Sequence, residues 1–322
     1  MAPITEIPES FKRTVSGAST SGAAWLDSLP GLITECESRW KITAGAPFAL
    51  SFNYVAPALT ADGQSVVLKL GVPSSELAGE IRTLQSYAGS AAVRLLDSDE
   101  DRGMMLLERI EPGYTLASLA DDERATRAAA QVMRDLWKPL PPDTHFPTAT
   151  EWAGGLATLR KRFNGGTGPL PADLVDQAEA LFSDLLSSAE PSVLLHGDLH
   201  QFNILAARRK PWLAIDPKGL AGEPAYEVGA LLRNPDPRLC TDPRVQRRRV
   251  EVLHEELSLA KDRMLGWGMA QAVLSAWWSI EDAGTDWQWQ CACAEVLASL
   301  LAESTGSDPP TRDRVRRARL SK

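Results

Sequence analysis

The sequence VLLHGDLHQFNIL, residues 193–205, determines how the rest of the chain is interpreted. An apolar run ends before His196 and a second begins at Ile204, which predicts two buried strands joined by a tight turn. A turn between strands usually carries one or two strongly polar side chains. This one carries four at fixed spacing, including Asp198 and Asn203, so we predict a functional site in the turn.

The spacing of the polar residues indicates phosphoryl transfer. Asn203 follows Asp198 by five residues, and a further apolar strand, WLAI, ends on Asp216. A kinase catalytic loop followed by its metal-binding aspartate has this spacing. Asp198 would accept the proton of a substrate hydroxyl, and the oxygens of Asn203 and Asp216 would bind Mg²⁺, which prefers oxygen ligands.

A different chemistry remains open for the same turn. His196, Asp198 and His200 are residue types that ligate zinc or iron. A metal site of this kind would explain the histidines but not Asn203 or the acid at the end of the next strand. The kinase interpretation instead gives His196 and His200 the task of holding the loop by hydrogen bonds.

The N-terminal part of the chain predicts a small antiparallel sheet. Strands are expected over Pro47–Tyr54 and Ser65–Leu70, with a hairpin turn at Asp62-Gly63. Lys69 lies inside the second apolar run, where it would contact nucleotide phosphates. The helix expected to begin at Ser74 offers two acids to pair with it, Glu76 and Glu80, and Glu80 is favoured because it lies one turn deeper.

A hinge is expected where the sheet ends. Two more strands, Val93–Leu96 and Met104–Leu107, precede the Pro-Gly of ERIEPG, residues 108–113. Backbone groups between Glu108 and Ile110 would then hydrogen-bond an adenine. Helices are expected over residues 115–120, 122–137, 149–163, 172–187, 244–264, 269–283 and 287–303. The predicted domains are an N-terminal lobe (1–110), a helical C-terminal lobe (111–303) and a basic, disordered tail (304–322).

Composition sets limits on the function. The chain has 322 residues, 44% hydrophobic and 24% charged, which is typical of a globular protein. Its net charge of -8 argues against nucleic acid and would suit a cationic substrate. The four cysteines form no CxxC pair, no signal peptide is recognised, and no apolar run is long enough to span a membrane, so a cytoplasmic protein is expected.

Seven stretches resemble the aminoglycoside phosphotransferase family, in particular its streptomycin 6-kinase and hydroxyurea phosphotransferase branch. They are WLDSLP (25–30), YVAPA (54–58), LLERIEPG (106–113), HGDLHQFNIL (196–205), IDPKGLAGEPAYE (215–227), LLRNP (231–235) and AWWSIED (276–282). The resemblance implies an α+β, protein-kinase-like bilobal fold, with a small antiparallel-sheet lobe and a larger helical lobe. It also implies ATP, with GTP as the alternative donor, Mg²⁺, and O-phosphorylation of a small molecule.

The resemblance assigns the base to Asp198, the metal ligands to Asn203 and Asp216, and the phosphate contact to Lys69 with Glu80. The sequence departs from protein kinases in ways that disfavour a protein substrate. Gly197 replaces the arginine of regulated kinases, and no Ala-Pro-Glu follows Asp216. No GxGxxG precedes Lys69, so the loop with Ser51 and Asn53 would cover the phosphates without those glycines.

The expected substrate is a small cationic molecule. Aminoglycosides are cationic, so carboxylates are expected to bind them. The candidate substrate contacts lie after the catalytic loop and are Lys218, Glu223, Glu227, Glu281 and Asp282. An aminoglycoside such as streptomycin is the first hypothesis, a kinase for another sugar, amino alcohol or natural product the second, and a nucleotide-binding pseudokinase the third.

Overall fold

The computed structural model describes residues 7–282 and 284–306 of the chain. These residues divide into two compact units. Unit 1 comprises Met1–Tyr114, Pro141–Thr144 and Ile204–Gly219, and unit 2 comprises Thr115–Leu140, His145–Asn203 and Leu220–Lys322, each within the described residues. Residues 307–322, which hold most of the predicted tail, lie outside the described part.

The strands and helices follow one another along the chain with these bounds. The strands are β1 Ile42–Ala44, β2 Tyr54–Thr60, β3 Ser65–Leu70, β4 Leu95–Asp99, β5 Met104–Glu108, β6 Pro112–Thr115, β7 Lys138–Pro139, β8 Val193–Leu195, β9 Ile204–Ala207, β10 Trp212–Ala214 and β11 Leu220–Gly222. The helices are α1 Glu9–Ala18, α2 Gly22–Trp40, α3 Ser75–Tyr87, α4 Asp122–Leu136, α5 Ala149–Arg162, α6 Ala172–Ser187, α7 Val228–Leu232, α8 Pro237–Cys240, α9 Pro243–Leu257, α10 Lys261–Glu281 and α11 Trp287–Thr305.

Unit 1 is built on a five-stranded antiparallel sheet in the order β1-β2-β3-β5-β4. The predicted hairpin at Asp62-Gly63 joins β2 to β3, and Gly63 takes the positive φ of 83° that the tight turn requires. The predicted strand over 47–54 is wrong. The strand begins at Tyr54, because its small buried residues Ala56 and Ala58 face the core, whereas Phe48 and Phe52 are exposed.

Helices α1 and α2 pack on this sheet. Phe11 of α1 meets Trp25 of α2 edge to face, and both belong to one buried cluster with Leu29 and the sheet residue Leu68. Helix α2 continues through Pro30. The large apolar surface that α2 buries outweighs the backbone hydrogen bond that a proline removes.

Helix α3 begins as predicted, because the Ser74 side chain accepts a hydrogen bond from the Leu77 amide. It ends with Ala88 in the left-handed conformation and Gly89 at a φ of 72°. The cap fixes the start of the helix, which places the predicted acidic partner of Lys69, one turn further along, on a buried position.

Unit 2 is mainly helical, with a short antiparallel sheet in the order β11-β8-β7. A break between two helices was predicted near Gly266 and Gly268, but the central helix α10 is continuous there. The break lies instead at Ser258, between α9 and α10, where φ is 58°. The two glycines let α10 pack closely. An added Cβ would lie 3.3 Å from Leu185 at the first glycine and 2.9 Å from Leu232 at the second.

Among the described residues, no helix is both long and apolar enough to cross a membrane.

Candidate active site

An ion-pair cluster in unit 1 contains three of the predicted site residues, two of them buried. Lys69 is 3% exposed, and its Nζ donates to Glu80 Oε1 at 2.6 Å and Oε2 at 2.8 Å. The same Nζ lies 3.0 Å from Oδ1 of Asp216. The structure therefore forms the favoured Lys69–Glu80 pair, while Glu76, the other candidate, pairs with Lys218.

The two carboxylates determine the charge of this lysine. Burial alone would lower the pKa of the Lys69 ammonium, but attraction from Asp216 and Glu80 outweighs it and raises the pKa above its ordinary value. The ammonium is thus kept protonated and is aimed by Glu80 toward Asp216. A fixed cation of this kind can hold the phosphate groups of a nucleotide.

The turn that carries Asp216 packs tightly against α3. Asp216 has a φ of 56°, and its side chain remains about half exposed. Two residues later, the carbonyl oxygen of Lys218 lies so close to Gly79 that an added Cβ would be 3.0 Å from it. Glu80 and Gly79 are neighbours on the helix, so one turn of α3 positions both the lysine and the loop of the predicted metal ligand.

Unit 2 contains the predicted catalytic turn. The Asp198 amide donates to His196 Nδ1 at 3.2 Å, and its carbonyl accepts from Asn203 Nδ2 at 3.0 Å. The carboxylate Oδ1 accepts from Arg233 Nη2 at 3.2 Å, and Oδ2 lies 3.7 Å from His200 Nε2. Because its Nδ2 is used inside the turn, Asn203 presents its amide oxygen as the atom for a cation.

The predicted loop-structuring histidines also hydrogen-bond within the turn. His200 Nδ1 accepts from the Phe202 amide at 3.3 Å, and the carbonyl of His200 accepts from the Asn203 amide at 2.9 Å. No group of three or more His, Cys, Asp and Glu side chains in residues 7–282 and 284–306 is arranged to hold a metal ion.

Glu227 does not have the surroundings predicted for a substrate contact. Its side chain is 1% exposed, and its oxygens accept from the amides of His196 at 2.7 Å and Gly197 at 2.9 Å. Burial raises the pKa of this carboxyl to about 7, against the pull of the two amides. We therefore correct the prediction, because Glu227 supports the catalytic turn from inside unit 2.

Glu223 is corrected for the same reason. It is 3% exposed, with hydrogen bonds from the Arg263 guanidinium at 2.6 Å, the Trp267 indole and the Glu190 amide. The sequence alone cannot distinguish a buried carboxylate that is hydrogen-bonded within the protein from one that faces a ligand, since candidates of both kinds follow the predicted catalytic turn.

The remaining substrate candidates lie on the surface. Glu281 ends α10 and Asp282 follows it, and both are exposed. Burial, followed by the neighbouring Asp282 charge, raises the pKa of the Glu281 carboxyl. Beside them, Trp278 packs edge to face on Trp152, with ring centroids 5.6 Å apart. Lys218 belongs to unit 1, where it pairs with Glu76.

The predicted hinge residues lie at the end of β5 and just after it, in unit 1. Glu108 ends the strand, and its amide donates to the Arg94 carbonyl. Its carboxylate binds Arg209 through two hydrogen bonds of 2.7 and 2.9 Å. Ile110 is buried. Arg209 also donates to the carbonyls of Gly89 and Ala92, and so joins the end of β5 to the segment between α3 and β4.

The phosphate-loop candidates lie before β2. Ser51 is exposed and Asn53 is partly buried. The Asn53 amide oxygen lies against Gly71, where an added Cβ would be 2.3 Å from it. Asn53 therefore contacts the end of β3, two residues beyond Lys69.

Two arginines with buried or partly buried ion pairs, Arg209 and Arg233, were not among the predicted site residues. Arg233 could have been recognised from the sequence, since it directly follows the apolar run VGALL. A charge next to a buried run is costly unless it has a partner. Arg209 belongs to the basic turn RRK, which is indistinguishable from a solvated hairpin in sequence.

Solved structures share this architecture. Choline kinase LicA from Streptococcus pneumoniae superposes with a TM-score of 0.59 at 13% identity, covering 85% of this chain and 99% of that chain. A thermostable mutant of aminoglycoside phosphotransferase APH(4)-Ia, in ternary complex with ADP and hygromycin B, gives a TM-score of 0.60 at 15% identity, with 83% and 98% covered. The fold is therefore that of the protein-kinase-like phosphotransferases, which confirms the predicted α+β fold class.

Sequence comparison defines the family. The family model described as aminoglycoside/hydroxyurea antibiotic resistance kinase matches residues 39–284. Streptomycin 6-kinase of Streptomyces glaucescens is 35% identical over 286 residues, 87% of this chain and 92% of that protein. Hydroxyurea phosphotransferase of Kitasatospora aureofaciens is 34% identical over 306 residues, with 91% and 86% covered. The chain belongs to this family and is a phosphotransferase that acts on hydroxyl groups, as the sequence predicted.

Proposed function

We propose that the chain is an ATP- and Mg²⁺-dependent O-phosphotransferase that inactivates an aminoglycoside, with streptomycin as the first candidate. The observation that carries the choice of substrate is the 35% identity over 92% of a streptomycin 6-kinase. Streptomycin carries guanidinium groups, and the exposed acids Glu281 and Asp282 have the charge to bind them. We propose the cytoplasm as the compartment, because the reaction consumes ATP.

In this proposal unit 1 binds the nucleotide. Lys69, aimed by Glu80, contacts its phosphates, and backbone groups between Glu108 and Ile110 contact its base. The ADP complex of the APH(4)-Ia mutant supports an adenine nucleotide, and GTP remains the alternative donor. Ser51 and Asn53 belong to the loop expected to cover the phosphates.

The donor atoms fit Mg²⁺. Asp216 offers an anionic oxygen and Asn203 a neutral one, and Mg²⁺ commonly takes one or two protein oxygens beside substrate phosphates. When bound, the ion would neutralise charge that develops on the phosphates. Asp198 would orient the substrate hydroxyl and accept its proton, and His196 and His200 would hold the turn in shape.

A coupled assay of nucleotide consumption tests the proposal. Streptomycin, other aminoglycosides, hydroxyurea and simple polyols are offered separately with ATP and Mg²⁺, and the Asp198→Ala variant serves as control. We expect turnover with streptomycin, lost in the variant. Absence of turnover and of resistance in cells that express the gene would remove streptomycin as the substrate.

Hydroxyurea is the second candidate, because the relative that carries this name covers 91% of the chain at nearly the same identity. Turnover with hydroxyurea alone would favour it, and turnover with a polyol would favour a metabolite kinase. A pseudokinase is disfavoured by the presence of Lys69, Asp198, Asn203 and Asp216. That alternative would gain support if ATP bound and no acceptor was phosphorylated.

A further inference from the structure

Arg233 is a buried cation in direct contact with the proposed base. It follows α7 and is 8% exposed. Its Nη2 donates to Asp198 Oδ1 at 3.2 Å, and its Nη1 approaches Gln271 Oε1 at 3.4 Å. Gln271 is itself fixed, since its Nε2 donates to the Tyr226 carbonyl at 2.6 Å. The guanidinium is therefore held on one side by a neutral amide and on the other by the Asp198 carboxylate.

The two partners of this ion pair differ in exposure. The Arg233 side chain is 9% exposed and that of Asp198 is 28% exposed. A buried guanidinium is costly unless a carboxylate compensates it. The arginine thus depends on Asp198 for compensation, while Asp198 still reaches the surface where a substrate can approach it.

The two carboxylate oxygens of Asp198 have different surroundings. The main chain of Asp198 is fixed by two hydrogen bonds, because its amide donates to His196 and its carbonyl accepts from Asn203. Arg233 holds Oδ1, while Oδ2 lies 3.7 Å from His200 Nε2, beyond hydrogen-bond distance. A general base needs one oxygen aligned with the substrate hydroxyl, within about 3 Å in the reacting complex.

Arg233 also belongs to a segment that is joined to the catalytic turn at both ends. At the start of the segment, Glu227 accepts from the amides of His196 and Gly197. At its end, Gln201 Nε2 approaches the carbonyls of Leu231 at 3.4 Å and Asn234 at 3.3 Å. The arginine is therefore presented from a support that is already fixed relative to Asp198.

We propose that Arg233 is a positioning residue that holds Asp198 Oδ1 so that Oδ2 receives the proton of the substrate hydroxyl. This inference rests on the proposed role of Asp198 as base. In the step, the hydroxyl oxygen forms a bond to the γ-phosphorus, and the bond from that phosphorus to the β–γ bridging oxygen breaks. The nucleoside diphosphate leaves with the electron pair of that bond, and the proton passes to Oδ2.

The test measures kcat and KM in full-length Arg233→Ala and Arg233→Lys variants, using the acceptor that gives turnover with the wild-type enzyme. Rates are divided by the fraction of molecules that bind nucleotide, which removes loss by misfolding. We expect Arg233→Ala to lower kcat by about 10- to 100-fold, with the KM for ATP unchanged within about twofold, because Arg233 acts on the base. Arg233→Lys keeps the positive charge but lacks the planar guanidinium group with its several donors. Its kcat should lie between that of the wild type and that of Arg233→Ala.

Arg249 provides a matched control, since it is also buried and also contacts the segment after α7. It is 1% exposed and donates to the carbonyls of Leu231, Leu232 and Asn234, with Asp122 as its ion-pair partner. Arg249→Ala should lower stability and reduce kcat per nucleotide-binding molecule much less than Arg233→Ala does, because Arg249 does not touch Asp198. Equal losses of kcat in the two alanine variants would overturn the positioning role of Arg233.

Chemical rescue distinguishes this inference from the proposed function. Methylguanidinium at millimolar concentration should restore part of the turnover of Arg233→Ala and none of that of Asp198→Ala. If Asp198→Ala keeps its turnover, the base role and the Arg233 inference both fail. If Asp198→Ala is inactive while Arg233→Ala has wild-type kcat, the base role stands and the Arg233 inference alone is wrong.

Discussion

Lys69 and Asp216 are 147 residues apart in sequence, and the Lys69 Nζ lies 3.0 Å from the Asp216 Oδ1. The same nitrogen donates to both oxygens of Glu80. The predicted phosphate contact and the predicted metal ligand thus share one hydrogen-bond cluster within unit 1, in which Lys69 and Glu80 are buried and Asp216 is half exposed. Any change in Glu80 should therefore affect both of them.

Glu80→Gln removes one of the two negative charges that compensate Lys69. Breaking a buried pair by removing one partner costs about 3–5 kcal/mol in other proteins. We expect the free energy of unfolding to fall by roughly 3 kcal/mol and the Kd for ATP to rise about tenfold or more, as measured by urea unfolding and calorimetry.

Glu76→Gln is the control for that variant, since it lies one turn earlier on α3 and pairs with Lys218 at the surface. Exposed ion pairs contribute at most about 1 kcal/mol. Equal losses of stability in the two variants would show that the burial of the Lys69–Glu80 pair does not matter.

Asp216→Asn keeps the shape of the side chain and removes its charge. The proposed Mg²⁺ site then loses its anionic ligand, while Lys69 keeps Glu80 as a partner. We expect ATP binding in the presence of Mg²⁺ to weaken about 10- to 100-fold, and binding in the presence of EDTA to change little. An equal loss of affinity with and without Mg²⁺ would count against a ligand role for Asp216.

The close approach of Lys218 to Gly79 predicts an unusual response to alanine. Gly79→Ala should gain helix propensity of up to about 1 kcal/mol. The added Cβ would lie 3.0 Å from the Lys218 carbonyl oxygen, so the loop that carries Asp216 must shift. We expect little net change in Tm and a higher Kd for ATP with Mg²⁺.

Gly31→Ala in α2 is the matched control, because nothing lies within 4 Å of an added Cβ there. It should raise Tm by a few degrees and leave ATP binding unchanged. If Gly79→Ala stabilises the protein equally and binds ATP normally, the loop does not depend on this contact.

Those parts of the candidate site that have a characteristic spacing along the chain could be predicted from the sequence. The turn at 196–203, the acid at the end of the next strand and the capped helix after Lys69 all follow local rules of spacing and capping. These rules were sufficient to choose Glu80 over Glu76, because the start of the helix sets which acid is buried.

Features that depend on burial and close packing could not be predicted in this way. Glu223 and Glu227 are acids whose partners come from elements distant in sequence, and no local pattern distinguishes them from surface carboxylates. A helix break was predicted between residues 264 and 269, yet α10 continues through Gly266, whose missing side chain allows a close approach of Leu185. Both errors arise from tertiary contacts that override local preference.

Glu227 predicts a pH dependence of stability. Burial raises the pKa of its carboxyl from the ordinary value of 4.5 to about 7. A carboxyl whose pKa is higher in the folded than in the unfolded state stabilises the fold below about pH 4.5 and loses that contribution as the pH rises through 7. The two amide donors favour the ionised form, but burial outweighs them.

Glu227→Gln, which cannot ionise, isolates this contribution. The free energy of unfolding of the wild type, minus that of the variant, should decrease between pH 4.5 and 8 by as much as about 3 kcal/mol. Urea unfolding at several pH values measures the difference, in which the titration of the other groups cancels. A difference that instead grows with pH would mean that the His196 and Gly197 amides hold Glu227 ionised at neutral pH, and that the turn is supported by a buried charge.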